Sequence, residues 1–218
     1  MPIDIKICGL STPDALEAAL GGGATHAGFI FFAKSPRNVS PQLAGRLART
    51  ARGRAVCVAV TVDADDAMLD GIVGAMAPGM LQLHGKETPG RVEYLKARYR
   101  LPVMKALSIR EPADLRAIDA YRQTADRILL DAKPPADALL PGGNGAPFDW
   151  SMLETLDRSL FYMLSGGINL ANLREAMCVR PAGIDVSSGV ENSPGKKDAG
   201  LVRQFLAEAR RLERALAA

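Results

Sequence analysis

Two short runs near the end of the chain have residue types suited to holding a phosphate group: SGGIN, Ser165 to Asn169, and IDVSSGVE, Ile184 to Glu191. Each reads as an apolar strand running into small residues ahead of a helix. Glycine lets backbone N–H groups come close to an anion, and the following helix adds unpaired N–H donors and the positive end of its dipole. Gly166, Gly167, Ser187, Ser188 and Gly189 are therefore the candidate phosphate ligands. Titratable and polar groups fall at the ends of other strand-like runs: Cys8, the pair Gln82 and His84, Asp131, and Asp185 with Ser187. By type alone Cys8 reads as a small core residue. Its position at the end of a strand, just before Gly9, carries it toward an open mouth instead.

The elements that must position these groups follow from periodicity. Apolar runs of strand length begin at Ile3, His26, Ala55, Gly79, Leu101, Asp126, Ser159 and Ala182. Between them lie segments such as PQLAGRLARTA, ADDAMLDGIVGAM, TPGRVEYLKARY and EPADLRAIDAYR, with apolar residues three or four apart, the mark of crossover helices. About eight strands alternating with helices predict an α/β chain, a single-domain (β/α)8 barrel over residues 1–218 with catalytic groups at the C-terminal strand ends. An open doubly wound sheet shares this alternation, but its first turn would carry GxGxxG. Here that turn reads CGLSTPD, and the GGG at Gly21 to Gly23 follows a helix as a stop signal. Alternation along the first strand packs Ile3, Ile5 and Ile7 outward under the helices and turns Asp4, Lys6 and Cys8 to the barrel axis.

Composition narrows the function. A net charge of +3, from 27 Lys+Arg against 24 Asp+Glu, is too weak to point to nucleic acid. The basic stretch Arg203 to Arg214 is spaced as the solvated face of a terminal helix packed through Leu206, Ala209, Leu212 and Leu216. No run is long and apolar enough to span a membrane. Cys8, Cys57 and Cys178 are odd in number and form no CxxC pair, and the MPIDIKICG start lacks a signal-peptide pattern. The expectation is a cytoplasmic protein with free thiols.

Seven segments in order resemble the phosphoribosylanthranilate isomerase family of tryptophan biosynthesis, over nearly the whole chain: KICGL, GFIFFAKSPRNVS, LQLHG, LLDAK, GGNGAPFDW, LSGGI and IDVSSGVE. One departure is Asn144, where a threonine is more usual. The resemblance implies a cofactor-free, metal-free barrel enzyme acting on a phosphorylated small molecule, with no nucleic-acid or membrane partner, as monomer or homodimer. It implies an Amadori rearrangement, aldose to ketose, with Asp131 as acid, Cys8 as base and Arg37 meeting the anthranilate carboxylate. His84 and Asp185 are expected to contact substrate; His84 reads as a satisfied polar residue of the pocket wall before it reads as catalytic, and Asp185 has a second reading as a buried ion-pair partner of Lys6 or Lys105. Lys6 is expected to favour the thiolate of Cys8, and Lys133 to point to solvent.

Rival readings remain at this point. A metal-dependent epimerase would want more histidines than His26 and His84. A Schiff-base lyase could use Lys105 or Lys133. A non-catalytic phosphate-ligand binder would need neither Cys8 nor Asp131.

Overall fold

A computed structural model of the chain describes residues 2–133, 147–157 and 159–217. Eight parallel strands close on themselves in chain order: β1 (Asp4–Cys8), β2 (His26–Phe31), β3 (Val56–Thr61), β4 (Met80–Leu83), β5 (Val103–Ile109), β6 (Arg127–Ala132), β7 (Tyr162–Leu164) and β8 (Gly183–Val186). β1 pairs with both β2 and β8, and closure removes the exposed sheet edge that an open sheet would leave.

The helices outside the barrel are α1 (Pro13–Gly21), α2 (Pro41–Ala51), α3 (Asp66–Met76), α4 (Pro89–Tyr99), α5 (Ala117–Tyr121), α6 (Leu173–Cys178) and α7 (Ala199–Ala217). Sequence sets where the first four begin. Thr12, Ser40, Asp65 and Thr88 each accept, through the side chain, the backbone N–H three residues on. Proline opens α1, α2 and α4, where its missing N–H costs nothing. The GGG does stop α1, with Gly22 as its C-cap.

The outer ring is less regular than the alternation predicts. EPADLRAIDAYR forms a 3-10 turn, Pro112–Arg116, before the five-residue α5. Between β6 and β7 the described residues hold a 3-10 helix, Trp150–Thr155. After β8 the chain does not enter a helix directly. An antiparallel hairpin, β9 (Glu191–Ser193) and β10 (Lys196–Lys197), stands before α7. This corrects the reading of IDVSSGVE as a strand-to-helix turn.

Period two sorts the strands into two apolar layers. Ile5, Ile7, Leu81, Leu83, Val103 and Ile109 face the helices and are buried with Leu16, Leu69, Ile72 and Phe205, each such side chain contributing roughly 1.5–3 kcal/mol. Inside the barrel Val58, Val60, Met80, Met104, Leu129 and Met163 form a second cluster with Cys8. Below them Arg127 reaches across the floor to Asp4, with Phe161 stacked on its guanidinium at 4.8 Å. In α7, Leu206, Ala209 and Leu212 are buried, whereas Leu216 lies on the exposed side.

Candidate active site

The C-terminal ends of the strands surround a cleft of about 690 Å³. Its lining brings together Cys8, Arg37, His84, Asp131, Gly166, Gly167, Asp185, Ser187 and Ser188, so all but one of the site residues expected from sequence share one space. The exception is Gly189, which is not among the lining residues. It bridges to Asn169 in parallel register and so ties the two glycine turns together.

Cys8 sits on β1 and Asp131 on β6, separated around the barrel by β7 and β8 on one side and by β2 to β5 on the other. Asp131 is 3 % exposed. Its Oδ1 accepts from the Ala132 N–H at 3.0 Å, and its Oδ2 lies 3.1 Å from His84 Nε2. Gln82 Nε2 lies 3.1 Å from His84 Nδ1. With the Gln82 amide donating to Nδ1, the neutral ring carries its proton on Nε2, and His84 donates directly to the Asp131 carboxyl group.

Lys6 runs up the inside of the barrel and donates to both oxygens of Asp185 at 3.0 Å. Gly28 leaves the room for it: a Cβ there would stand 3.1 Å from Lys6 Nζ and 3.1 Å from Cys8 Cα. Of the two partners expected for Asp185, Lys6 is the one found. Burial opposes the charge on Lys6, but the facing Asp185 and Cys8 outweigh it and hold its pKa above that of a free lysine. For Cys8 the balance falls the other way. Burial pushes the thiol up, and Lys6 and Lys197 pull it only part of the way back. The expectation that Lys6 favours the thiolate is right in direction, and desolvation exceeds it.

Lys105 is turned away from this cleft. In register with Leu83, it points out of the barrel toward the helices and bonds Glu87 at 2.9 Å and the Gly85 carbonyl at 2.6 Å. Lys133 is exposed and pairs with Asp114. Neither lysine lines the cleft, which removes both candidates for Schiff-base chemistry. Among the described residues no three His, Cys, Asp or Glu side chains are grouped to hold a metal.

The two phosphate turns differ. Gly166 and Gly167 have φ of +92° and +70°, and among the described residues neither amide donates to a protein acceptor. A side chain at Gly166 would bring Cβ within 2.4 Å of the Ala132 nitrogen, so this position requires glycine. In the second turn Ser187 Oγ donates to the Cys8 carbonyl at 3.1 Å and receives Lys197 Nζ at 3.2 Å. The Ser187 hydroxyl is thus engaged in holding β8 to β1. Asn144 lies outside the described residues.

Sequence reasoning missed two residues at the mouth. Arg37, buried in the loop after β2, lays Nε and Nη2 on the two oxygens of Glu191 at 2.7 and 2.8 Å. Lys197 Nζ meets the same Glu191 at 2.5 Å. The signal was present, since Glu191 closes the IDVSSGVE run, but nothing in the sequence shows that a hairpin folds back to Arg37.

The family model described as N-(5'phosphoribosyl)anthranilate (PRA) isomerase matches residues 5–208. A curated N-(5'-phosphoribosyl)anthranilate isomerase of Chelativorans sp. (strain BNC1) is 63% identical over 211 residues, 96% of this chain and 97% of the relative. A relative of the same name from Brucella canis is 62% identical over 206 residues, 94% of this chain and 93% of its own length. Among solved structures, phosphoribosyl anthranilate isomerase from Thermotoga maritima superposes with a TM-score of 0.85 at 34% identity, covering 96% of this chain and 99% of that one. Another such isomerase, in complex with reduced 1-(o-carboxyphenylamino)-1-deoxyribulose 5-phosphate, gives 0.81 at 31% identity with the same coverage. By family model, sequence identity and fold alike, the chain belongs to the N-(5'-phosphoribosyl)anthranilate isomerase family.

Proposed function

We propose that Asp131 and Cys8 are the acid and the base of an aldose–ketose isomerisation that converts N-(5-phosphoribosyl)anthranilate to 1-(2-carboxyphenylamino)-1-deoxyribulose 5-phosphate, in tryptophan biosynthesis. The observation that carries this reading is the shared cleft: thiol, carboxyl group and an open pair of glycine amides line one space. Asp131 protonates the ring oxygen, and the furanose opens to an imine. Cys8 then takes the proton from C2 to give the enolamine; the C2 hydroxyl returns a proton to the Asp131 carboxylate and the Cys8 thiol delivers one to C1, which leaves the ketone and restores both groups. The phosphate is untouched, held at Gly166, Gly167, Ser188 and the Ser187 backbone. His84, donating through Nε2–H, keeps the Asp131 carboxyl group oriented, and the Lys6–Asp185 pair supports the floor beside Cys8.

Arg37 is the lining residue with a permanent positive charge among the described residues, and its remaining edge suits a carboxylate. Residues 1–218 act as one catalytic domain, as monomer or homodimer. No helix among the described residues is long and apolar enough to cross a membrane, and a cytoplasmic setting would keep the three free cysteines reduced.

The test supplies phosphoribosylanthranilate and follows its loss by fluorescence for wild type, Cys8→Ala and Asp131→Asn. The expected outcome is a fall in kcat of about 10²–10⁴ in each variant, with binding of the phosphate ester retained. A Cys8→Ala protein that turns over at the wild-type rate overturns the assignment.

A further inference from the structure

At the mouth, Arg37, Glu191 and Lys197 form a chain of charged side chains that the proton-transfer steps do not use. Glu191 is buried and saturated: it accepts from Arg37 Nε and Nη2, from Lys197 Nζ, and from the Gly195 N–H at 3.2 Å. Both partners are buried as well, Arg37 at 5 % and Lys197 at 1 % side-chain exposure. A two-membered Arg–Glu pair would present a neutral surface to the cleft. Lys197 adds a second cation to the one anion: burial lowers its pKa and the contact with Glu191 opposes that, and in its protonated form the triad has a net charge of +1.

The geometry also fixes which part of Arg37 is free. With Nε and Nη2 on Glu191, the guanidinium is clamped along one edge, and Nη1 is left without an assigned acceptor among the described residues. An anion in the cleft therefore meets a donor whose direction is set in advance, so little side-chain entropy is lost on binding. The glycine amides of the β7 turn lie in the same lining and offer a second, uncharged anion site. A substrate with two anionic groups would be read at both.

We propose that Glu191 and Lys197 are positioning residues which, through Arg37, set the preference of this cleft for a sugar phosphate that also bears a carboxylate. The proposal rests on the reading of Arg37 given above. Glu191 orients the guanidinium, Lys197 keeps the triad positive, and the hairpin β9–β10 serves as the arm that carries both.

The test compares wild type, Glu191→Gln, Lys197→Met and Lys197→Arg with two probes: reduced 1-(o-carboxyphenylamino)-1-deoxyribulose 5-phosphate, which has both anionic groups, and ribose 5-phosphate, which has one. Calorimetric titration is expected to show about a tenfold or greater loss of affinity for the carboxylated probe in Glu191→Gln and Lys197→Met, with ribose 5-phosphate unchanged and Lys197→Arg restoring most of the loss. With phosphoribosylanthranilate, KM rises while kcat holds, because the contact is equal in ground and transition state. Equal losses for both probes overturn the proposal, since Arg37 would then hold the phosphate. Unchanged affinity for both, or variants that all fail to fold, also overturns it, because the hairpin would then be structural only. Turnover by wild type separates these outcomes from a failure of the proposed function itself.

Discussion

Burial pushes the Cys8 thiol above the ordinary cysteine range, and this fixes the sign of a pH dependence. The protonated thiol dominates at neutral pH, and the base-competent thiolate grows as pH rises. A base with a raised pKa is sparse but strong, which suits removal of a carbon-bound proton. Alkylation of Cys8 by iodoacetamide, in a Cys178→Ser background because Cys178 is exposed, is expected to show a midpoint above the roughly 8.5 of an ordinary cysteine. The ascending limb of kcat/KM, where activity grows with the thiolate, should follow it. A midpoint at or below the ordinary value would mean that Lys6 and Lys197 outweigh desolvation. At this scale much was legible from sequence. Cys8 and Asp131 end strands in recognisable motifs, and alternation from Ile3 turned Cys8 inward. The pairing of Arg37 with Glu191 was not legible, because 154 residues separate them and only the closed barrel brings them together.

Among the elements, the turn after β7 is the most constrained. Gly166→Ala adds a side chain at φ +92° and against the Ala132 backbone, a strain of about 1–3 kcal/mol. Affinity for ribose 5-phosphate should fall by about tenfold or more. Helix α3 gives the opposite case. Gly74 is exposed, and a Cβ there would meet nothing within 4 Å, so Gly74→Ala is expected to stabilise the fold by roughly 0.5–1 kcal/mol in urea unfolding. Helix starts were legible because Thr12, Ser40, Asp65 and Thr88 are capping residues. The hairpin β9–β10 was not, since ENSPGKK has no alternating apolar face and reads as loop. The direction of Lys105 was obscured for another reason: β5 is apolar on both faces, as strands of a parallel sheet are, so its sequence does not say which face is inward.

For the molecule as a whole, chemistry and stability occupy opposite ends of the barrel. His26 lies near the floor beside Asp4, Arg127 and Lys6, its Nδ1 2.8 Å from Thr25 Oγ1. Burial lowers its pKa to about 4, with Asp4 opposing and Arg127 and Lys6 adding to the shift. The unfolded chain, with histidine near 6.5, therefore takes up this proton first. Its contribution is whole above about pH 6.5 and is lost as pH falls toward 4, on the order of 3 kcal/mol across that window. Urea unfolding at pH 7 and pH 4.5 should show this slope in wild type and a shallower one in His26→Gln, with kcat at neutral pH little changed.

The contacts that complete the mouth also share an order along the chain. Lys6 waits for Asp185, the Cys8 carbonyl for Ser187, and Arg37 for Glu191, so each early residue depends on a partner near the other end. During vectorial synthesis a ribosome must release almost the entire polypeptide before any of these links can form. A nascent fragment stopped before residue 185 would present an unpaired ammonium in a gap between β1 and β7, making translation itself the last gate on activity.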